Sequence, residues 1–552
     1  MRTVSRDRIR NTPPTLTPRS SPLTPHFPWD WRLLPLLLLP FLALWVPPLF
    51  DLDEGAFTAS TLEMFLRGDF LSSYLLGEPR HDKPILIYWL QALSVSVFGF
   101  DEWGWRFPSA LAATAWIGLT HAFVARVADR ETALTAALVI ATAAGLVIIQ
   151  RAATADALLN LWLAAAGYAA WLWLKEGKPA WRYASHAAMA LGFLTKGPIA
   201  VLVPAAAVFL WCLSRREPMR FFRWAFEARA LALFLAIAAP WFVVQTWLEG
   251  PGFLAGFFLK HNVERFGSSM EGHGGNPLYY LPVVLISLLP HTGLLLAAAW
   301  RVRAVWRDDL LRYGLIWFGL VFVLFSLSGT KLPHYVYYGY GGLTLLLAHQ
   351  AGPATSRWLL LLPGTLLFAL LLALPELLAS QLPRLKPDDQ LLAAGLNGVF
   401  GNAYWLWFGG AFALSLALFA LPREHLRLGL YANGMLAALG LVMLLIPAVG
   451  EVQQGPIRQA GKLAAGLDGP LVMYGVNTPS FQTYAGRQVQ RRTPQAGDLV
   501  LTRESHVAQL PATEVVFRER SYVLARLSGE ESGAGDEGQA AGGAGSGRQI
   551  TR

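Results

Sequence analysis

The sequence predicts a mainly α-helical, polytopic membrane protein, and three observations predict it. Hydrophobic residues make up 54% of the 552-residue chain and charged residues 15%, where an ordinary soluble domain carries about 25% charge. Mean hydropathy is +0.40. Apolar segments recur along most of the chain, each near the ~20 residues that cross a bilayer as a helix.

Taken in order, residues 1–28 are rich in Arg, Pro, Ser and Thr without apolar periodicity, which predicts a disordered, basic cytoplasmic tail. The apolar run after it is read as an uncleaved first helix. Val46-Pro47-Pro48 stands where a signal peptide would show a small-x-small cleavage site. About thirteen transmembrane helices are expected, at 31–50, 106–126, 132–149, 157–174, 181–195, 197–213, 229–248, 278–299, 310–327, 335–350, 357–379, 402–421 and 426–447. The apolar stretch 85–98 is only about 14 residues long. It is expected to lie on the bilayer surface, as is an amphipathic helix near 56–66, so the first outer loop, 51–105, holds two interfacial helices. The membrane domain then spans 29–447. Beyond it, 448–527 predicts a small extracytoplasmic α/β domain with strands at 471–474, 499–502, 515–517 and 522–527, and 528–552 predicts a disordered Gly/Ser/Ala/Glu tail.

Charge sets the orientation. With the N-terminus inside, about 23 basic residues fall on inner segments and about 11 on outer ones before residue 448, the asymmetry of the positive-inside rule. Counting 85–98 as a span would invert every later loop. The net charge of +9 therefore reads as loop topology rather than nucleic-acid binding. Cys212 is the sole cysteine, so no intrachain disulfide forms. No phosphate-binding P-loop and no Gly-x-Gly-x-x-Gly turn is present, which speaks against a nucleotide-driven pump.

The same topology gathers the unusual polar stretches on the outer face: 51–83, 150–156, 195–198, 248–277 and 326–334. Asp53 and Glu54 follow the first helix, and Asp156 precedes the fourth. Each carboxylate could cap a helix, but at a membrane surface a carboxylate is a functional candidate and can act as general base on a hydroxyl. Lys83, Lys196 and Lys331 stand at helix entrances beside Gly or Pro. Singly they would be snorkelling anchors; together with Lys260 and Arg265 they offer cations to phosphate oxygens. Asp82 or Glu54 with His261 or His273 could bind a divalent metal, although spacing across separate loops is weak evidence.

These residues resemble the bacterial GT-C membrane glycosyltransferases, in particular the aminoarabinose–lipid A transferase family and, more distantly, the protein O-mannosyltransferases. The matching stretches are Asp53-Glu54-Gly55, Gly77-Glu78-Pro79, Asp82-Lys83-Pro84, Tyr88-Trp89, Arg151 through Asp156, Leu194-Thr195-Lys196-Gly197-Pro198, Glu264-Arg265-Phe266, His273 with Tyr279-Tyr280, and Lys331-Leu332-Pro333-His334-Tyr335. The resemblance implies a hexosyl- or pentosyltransferase moving a sugar, with inversion, from a polyprenyl-phosphate donor. The acceptor would be a hydroxyl or phosphate on a lipid A-like glycolipid, a cell-envelope glycan or a protein. It implies Asp53, Asp156 and Glu54 as catalytic carboxylates and Lys83, Lys196, Arg265 and Lys331 as donor-phosphate contacts. Asp82, Tyr88, His273 and Tyr335 would line the substrate cavity, with Asp82 and His261 the candidates for a metal. It implies residence in the bacterial inner membrane, with the site and the C-terminal domain outside. An Arg usual in the family just after the first carboxylates is missing: the chain reads Asp53-Glu54-Gly55-Ala56-Phe57. The rival class is a lipid or sugar transporter without bond chemistry. Transporters usually place their charges near the midplane of repeated halves, and no half repeats the other here.

Overall fold

The computed structural model describes residues 30–257, 275–511 and 513–528. Seven helices in it are long and apolar enough to cross a membrane: Glu102–Val127, Asp156–Glu176, Ala228–Glu249, Asp309–Leu327, Arg357–Arg384, Asn402–Ala420 and Arg423–Ala465. An eighth span forms if Pro277–Ser287 and Thr292–Trp300, bent by 118° about Pro290, count as one. The chain is a multi-span helical membrane protein with a small sheet at its C-terminus.

Several expected spans are shorter or broken, and the sequence supplies the reason. The segment expected at 31–50 forms only the helix Leu33–Leu38 and one 3-10 turn, Leu39–Phe41, then continues as turns and extended chain. Pro40, Pro47 and Pro48 remove backbone donors and clash with the preceding turn. The segment expected at 132–149 splits into Arg130–Thr142 and Ala144–Ile149. At the break the Ala144 amide donates to the Leu289 carbonyl, 2.9 Å away, across to the bent helix pair. The segment at 335–350 is a 3-10 run, Pro333–Gly339, followed by the helix Tyr340–Ala348. The helical run from Arg423 does not end near residue 447; it passes through a π turn, Leu441–Leu445, and continues to Ala465.

The segment 51–105, expected as the first outer loop, contains the helix Asp53–Arg67, a hairpin of β1 (Tyr74–Leu75) and β2 (Glu78–Pro79), and the helix Leu86–Phe98. The helix Asp53–Arg67 buries every residue from Glu54 to Met64. It therefore does not present the exposed stripe expected of a surface-lying amphipathic helix, because neighbouring protein covers it.

Asp156–Glu176 is the most buried of the long apolar helices. Without a hydrophobic force between helices in lipid, close approach depends on small residues and interhelical hydrogen bonds. A Cβ added at Gly167 would lie 2.5 Å from the Trp317 ring. Tyr313 donates to the Gly167 carbonyl at 3.0 Å and Tyr168 to the Gly341 carbonyl at 3.1 Å. At one end of this bundle, basic loops are stitched by ion pairs: Arg126–Glu176 at 2.8 Å, Lys175–Asp309 at 2.8 Å and Arg215–Asp309 at 3.3 Å.

The C-terminal domain is a mixed five-stranded sheet of β3 (Leu471–Met473), β4 (Val489–Arg491), β5 (Leu499–Arg503), β6 (Thr513–Glu519) and β7 (Tyr522–Leu527), in the order β4-β3-β5-β7-β6. β3 is parallel to β4 and β5, while β7 is antiparallel to β5 and β6. The helix Ser480–Ala485 crosses from β3 to β4 and docks on the first outer loop. There Gln482 donates to Glu63 at 2.8 Å, and the Thr58 and Thr483 hydroxyls meet at 2.8 Å. Tyr484 donates to Glu102 at 3.1 Å and accepts from the Leu49 amide at 2.7 Å. Asp51 accepts from both the amide and the hydroxyl of Ser480.

Burial pushes the Asp51 carboxyl up to about 7, against the pull of the Ser480 hydrogen bonds. A carboxyl whose pKa is raised by folding contributes stability that is full below its unfolded value of ~3.9 and is lost as pH rises through its folded value. Thermal unfolding of the detergent-purified protein should therefore show a stability loss as pH rises from about 4 to about 7 that Asp51→Asn reduces, since the amide cannot ionise. An identical loss in the variant would remove Asp51 as its source.

Candidate active site

The site is built on the chain that the first segment leaves unwound. Glu54 lies in the first turn of the helix Asp53–Arg67, and Arg106 reaches it from the helix Glu102–Val127. Glu54 Oε1 accepts from Arg106 Nε at 2.8 Å and from the Ala153 amide at 2.7 Å; Oε2 accepts from Arg106 Nη2 at 2.7 Å and from the Phe50 amide at 2.8 Å. The same guanidinium donates to the carbonyls of Leu44 at 2.8 Å, Pro47 at 2.5 Å and Pro48 at 2.8 Å. Both side chains are buried. A carboxylate offers about four acceptor positions, and Glu54 has a donor at each. The geometry thus makes Glu54 a tie between the helix Asp53–Arg67, Arg106 and the loop at Ala153.

Asp53, one residue earlier and about 100° around the helix, is exposed and lines a cavity of about 380 Å³. Its carboxylate forms no hydrogen bond or ion pair with any described residue. Asp156, Arg151 and His334 also face this cavity, and Ile148, Ile149 and Ile446 give it an apolar side. Arg151 is buried, and Nη2 donates to the carbonyls of Pro40 at 3.3 Å and Leu42 at 2.5 Å. Among the described residues no carboxylate lies within ion-pair distance of it. The cavity therefore holds one unpaired carboxylate and one buried guanidinium without a counter-ion.

Asp156 opens the central helix. Oδ1 accepts from Lys196 Nζ at 2.6 Å and from the Tyr338 hydroxyl at 3.0 Å, with His334 Nε2 at 3.8 Å; Oδ2 accepts from the Thr154 hydroxyl at 3.3 Å. His334 lies within electrostatic reach of Asp156, Lys196, Asp53 and Lys83, so it marks the point where the four expected charges converge. Tyr335 packs on Phe325 with ring centroids 4.9 Å apart, 5.9 Å from the Lys196 ammonium.

The remaining expected residues are held differently. Arg80 binds Asp82 at 2.6 and 3.2 Å, and Lys83 binds it at 3.0 Å. Burial alone would raise the Asp82 carboxyl, but Arg80 and then Lys83 more than offset it and hold it well below the usual carboxylate range. Two cations thus occupy the carboxylate that was expected to hold a metal. No group of three or more His, Cys, Asp and Glu placed for a metal occurs among the described residues. Tyr88 is buried against Phe57, ring centroids 5.6 Å apart, and its hydroxyl meets no partner. Lys331 donates to the carbonyls of Ser326 at 3.0 Å and Ser328 at 2.5 Å, closing the C-terminal end of the helix Asp309–Leu327, where a cation suits the helix dipole. Arg265, His261 and His273 lie outside the described residues.

Sequence reasoning missed Arg80 and Arg106 and assigned no role to Arg151 or His334. The available signal is that a charged residue in a membrane domain is functional or paired by default; Arg80 and Arg106 enter the sequence reading only as charge, Arg151 and His334 only as parts of matching stretches.

The family described as dolichyl-phosphate-mannose-protein mannosyltransferase matches residues 82–243. The crystal structure of ArnT from Cupriavidus metallidurans bound to undecaprenyl phosphate superposes with a TM-score of 0.75, at 21% identity, over 90% of this chain and 97% of that one. The undecaprenyl phosphate-alpha-4-amino-4-deoxy-L-arabinose arabinosyl transferase of Edwardsiella ictaluri is 31% identical over 319 residues. The chain resembles ArnT in sequence and in fold. The counterpart of that transferase in Aeromonas hydrophila is 31% identical over 328 residues. The matches span 56% and 58% of this chain, and only 56% and 59% of the respective transferases. An uncharacterised Aquifex aeolicus protein is 29% identical over 312 residues, 55% of this chain and 68% of its own.

Removing one partner of a buried, hydrogen-bonded ion pair costs about 3–5 kcal/mol. Arg106→Met should cost that much, because it strands Glu54 and three backbone carbonyls. Thermal unfolding in detergent should show a large drop in midpoint, and an unchanged midpoint would refute the tie.

Proposed function

We propose that this chain is an integral membrane glycosyltransferase of the ArnT-like GT-C type. It transfers a sugar from a polyprenyl-phosphate donor to an acceptor hydroxyl or phosphate on an envelope glycolipid, glycan or protein, with inversion. The observation that carries this reading is the pairing, in one cavity, of the unengaged Asp53 carboxylate with the unpaired Arg151 guanidinium. A general base needs a carboxylate free to take a proton. A departing phosphate needs fixed positive charge where negative charge develops. Similarity in fold to ArnT bound to undecaprenyl phosphate, and in sequence to an arabinosyl transferase, supports a polyprenyl-phosphate donor and sugar transfer.

In this mechanism the polyprenyl tail lies along the apolar side of the cavity and the phosphate meets Arg151, with Lys83, Lys196 and Lys331 adding positive potential around it; the family resemblance assigns Arg265 to the same task. Asp53 accepts the proton of the acceptor hydroxyl as its oxygen attacks the anomeric carbon. The bond from that carbon to the phosphate oxygen breaks on the opposite face, and polyprenyl phosphate leaves with the electron pair. Asp156, neutralised by Lys196 and Tyr338, orients the sugar rather than taking the proton. Asp82, locked by Arg80, sets the position of Lys83, and Tyr88 and Tyr335 line the approach. A divalent metal enters this reading only through the residues around His261 and His273.

The expected topology belongs to the same proposal. The N-terminus and the ion-paired basic loops face the cytoplasm; the cavity and the C-terminal domain face outward from the bacterial inner membrane. About thirteen segments enter the bilayer, the short and broken ones included, and the helix Leu86–Phe98 lies at its surface.

Asp53→Asn should lower release of polyprenyl phosphate from a polyprenyl-phosphate sugar by about 10²–10⁴-fold, the usual worth of a general base, at unchanged protein level in the membrane. Arg151→Ala should weaken donor binding and slow release together. Turnover retained in Asp53→Asn would end the assignment of the base.

A further inference from the structure

A second cavity, of about 660 Å³, lies between the C-terminal sheet, the segment 386–392 and the helix Ile446–Ala465. Its size falls within the ~300–1,000 Å³ of small-molecule sites. Asp51 lines both this cavity and the one that holds Asp53, so the two meet at the start of the helix Asp53–Arg67. The proposed chemistry uses only the first of them.

The lining is polar and carries both signs of charge. Gln454, Asn477, Thr478, His506 and Tyr522 face it, with Lys386, Arg503, Asp388 and Asp51. Arg503 binds Asp389 at 2.8 Å, Asp388 accepts from the Ser505 hydroxyl at 2.5 Å and its amide at 3.2 Å, and Asp51 accepts from Ser480. Amides, hydroxyls and carboxylates side by side offer the donors and acceptors that a polyhydroxylated ligand needs. A second observation points to a ligand: Gln454 is 93% buried (7% exposed), yet its Oε1 has no hydrogen-bond partner. A buried amide oxygen left unsatisfied is costly, and a sugar hydroxyl would satisfy it. Leu52 lines the cavity and is exposed, and Leu385 and Leu391, next in sequence to the lining residues Lys386 and Leu392, are exposed too, which suits a sugar carried by a membrane lipid.

We infer that this cleft binds the glycan headgroup of a membrane-borne acceptor and presents one of its hydroxyls across Asp51 to Asp53. The C-terminal domain thereby forms one wall of the acceptor site. This inference deepens the transferase reading and rests on it for its catalytic meaning, while the binding itself is separately measurable.

The lone cysteine makes the test direct. Cys212 is buried, whereas Asn477 and Gln453 are exposed and line the cleft. The full-length Asn477→Cys variant, and Gln453→Cys as a second labelling position, are exposed to a maleimide in detergent. The probes are glycolipid extracted from the producing cell's envelope, its deacylated water-soluble glycan, and polyprenyl phosphate alone. The glycolipid should slow labelling several-fold, the deacylated glycan should do so at higher concentration, and Gln454→Leu should raise the concentration needed by about tenfold. Labelling unaffected by either glycan, protection by polyprenyl phosphate alone, or equal protection in Gln454→Leu would overturn the inference. Release of polyprenyl phosphate from a donor sugar, followed in the same preparations, reports the transferase reading separately. Protection without release keeps the cleft as a glycan site and removes the chemistry.

Discussion

The rest of the membrane domain depends on the Glu54–Arg106 pair. The first apolar segment carries too many prolines to remain helical, and non-helical backbone at membrane depth survives only where protein satisfies it. Arg106 supplies three of the missing donors, to Leu44, Pro47 and Pro48. Arg151 supplies two more, to Pro40 and Leu42. Glu54 fixes the first guanidinium and, through the Ala153 amide, the loop that leads to Asp156. Breaking the helix frees the space that becomes the cavity, and the same break would be untenable without these two arginines.

A buried ion pair is weak evidence for net stability, since desolvation can equal the Coulomb gain. Its value here is positional. Asp53 and Asp156 come from segments about a hundred residues apart, yet Glu54 ties the helix of the first to the loop of the second. The Asp156–Lys196–Tyr338 contacts add a third and a fourth element. The two carboxylates are therefore set by hydrogen bonds between elements rather than by any single helix.

Much of this was legible in the sequence. The class followed from composition. The convergence of Asp53, Lys83, Asp156, Lys196 and His334 followed from placing their loops on one face, and the long helices were found near their expected positions. What failed has physical causes. Hydropathy reports how apolar a segment is, not whether its prolines let it stay helical, so 31–50 and 132–149 read as whole spans. Adjacent carboxylates look alike in sequence; only the four donors around Glu54 separate its surroundings from those of Asp53. The strand β4 has three residues, too few for an alternating pattern to register. The amphipathic pattern near 56–66 was read against a bilayer, whereas the C-terminal domain covers that helix. Arg80 and Arg106 carried no motif and could be recognised only through the carboxylates they meet.

The uninterrupted run from Arg423 to Ala465 has 43 residues, about 65 Å at 1.5 Å per residue. It continues from the membrane helices into the core of the C-terminal domain, where Ile457, Ala460 and Ala464 pack with the sheet. The C-terminal domain is consequently mounted on a mast rather than hung from a linker. The π turn, Leu441–Leu445, interrupts the regular backbone ladder part-way along it. Ile446, on the next turn, faces the Asp53 cavity. One continuous helical run thus both carries the domain and forms part of the cavity wall.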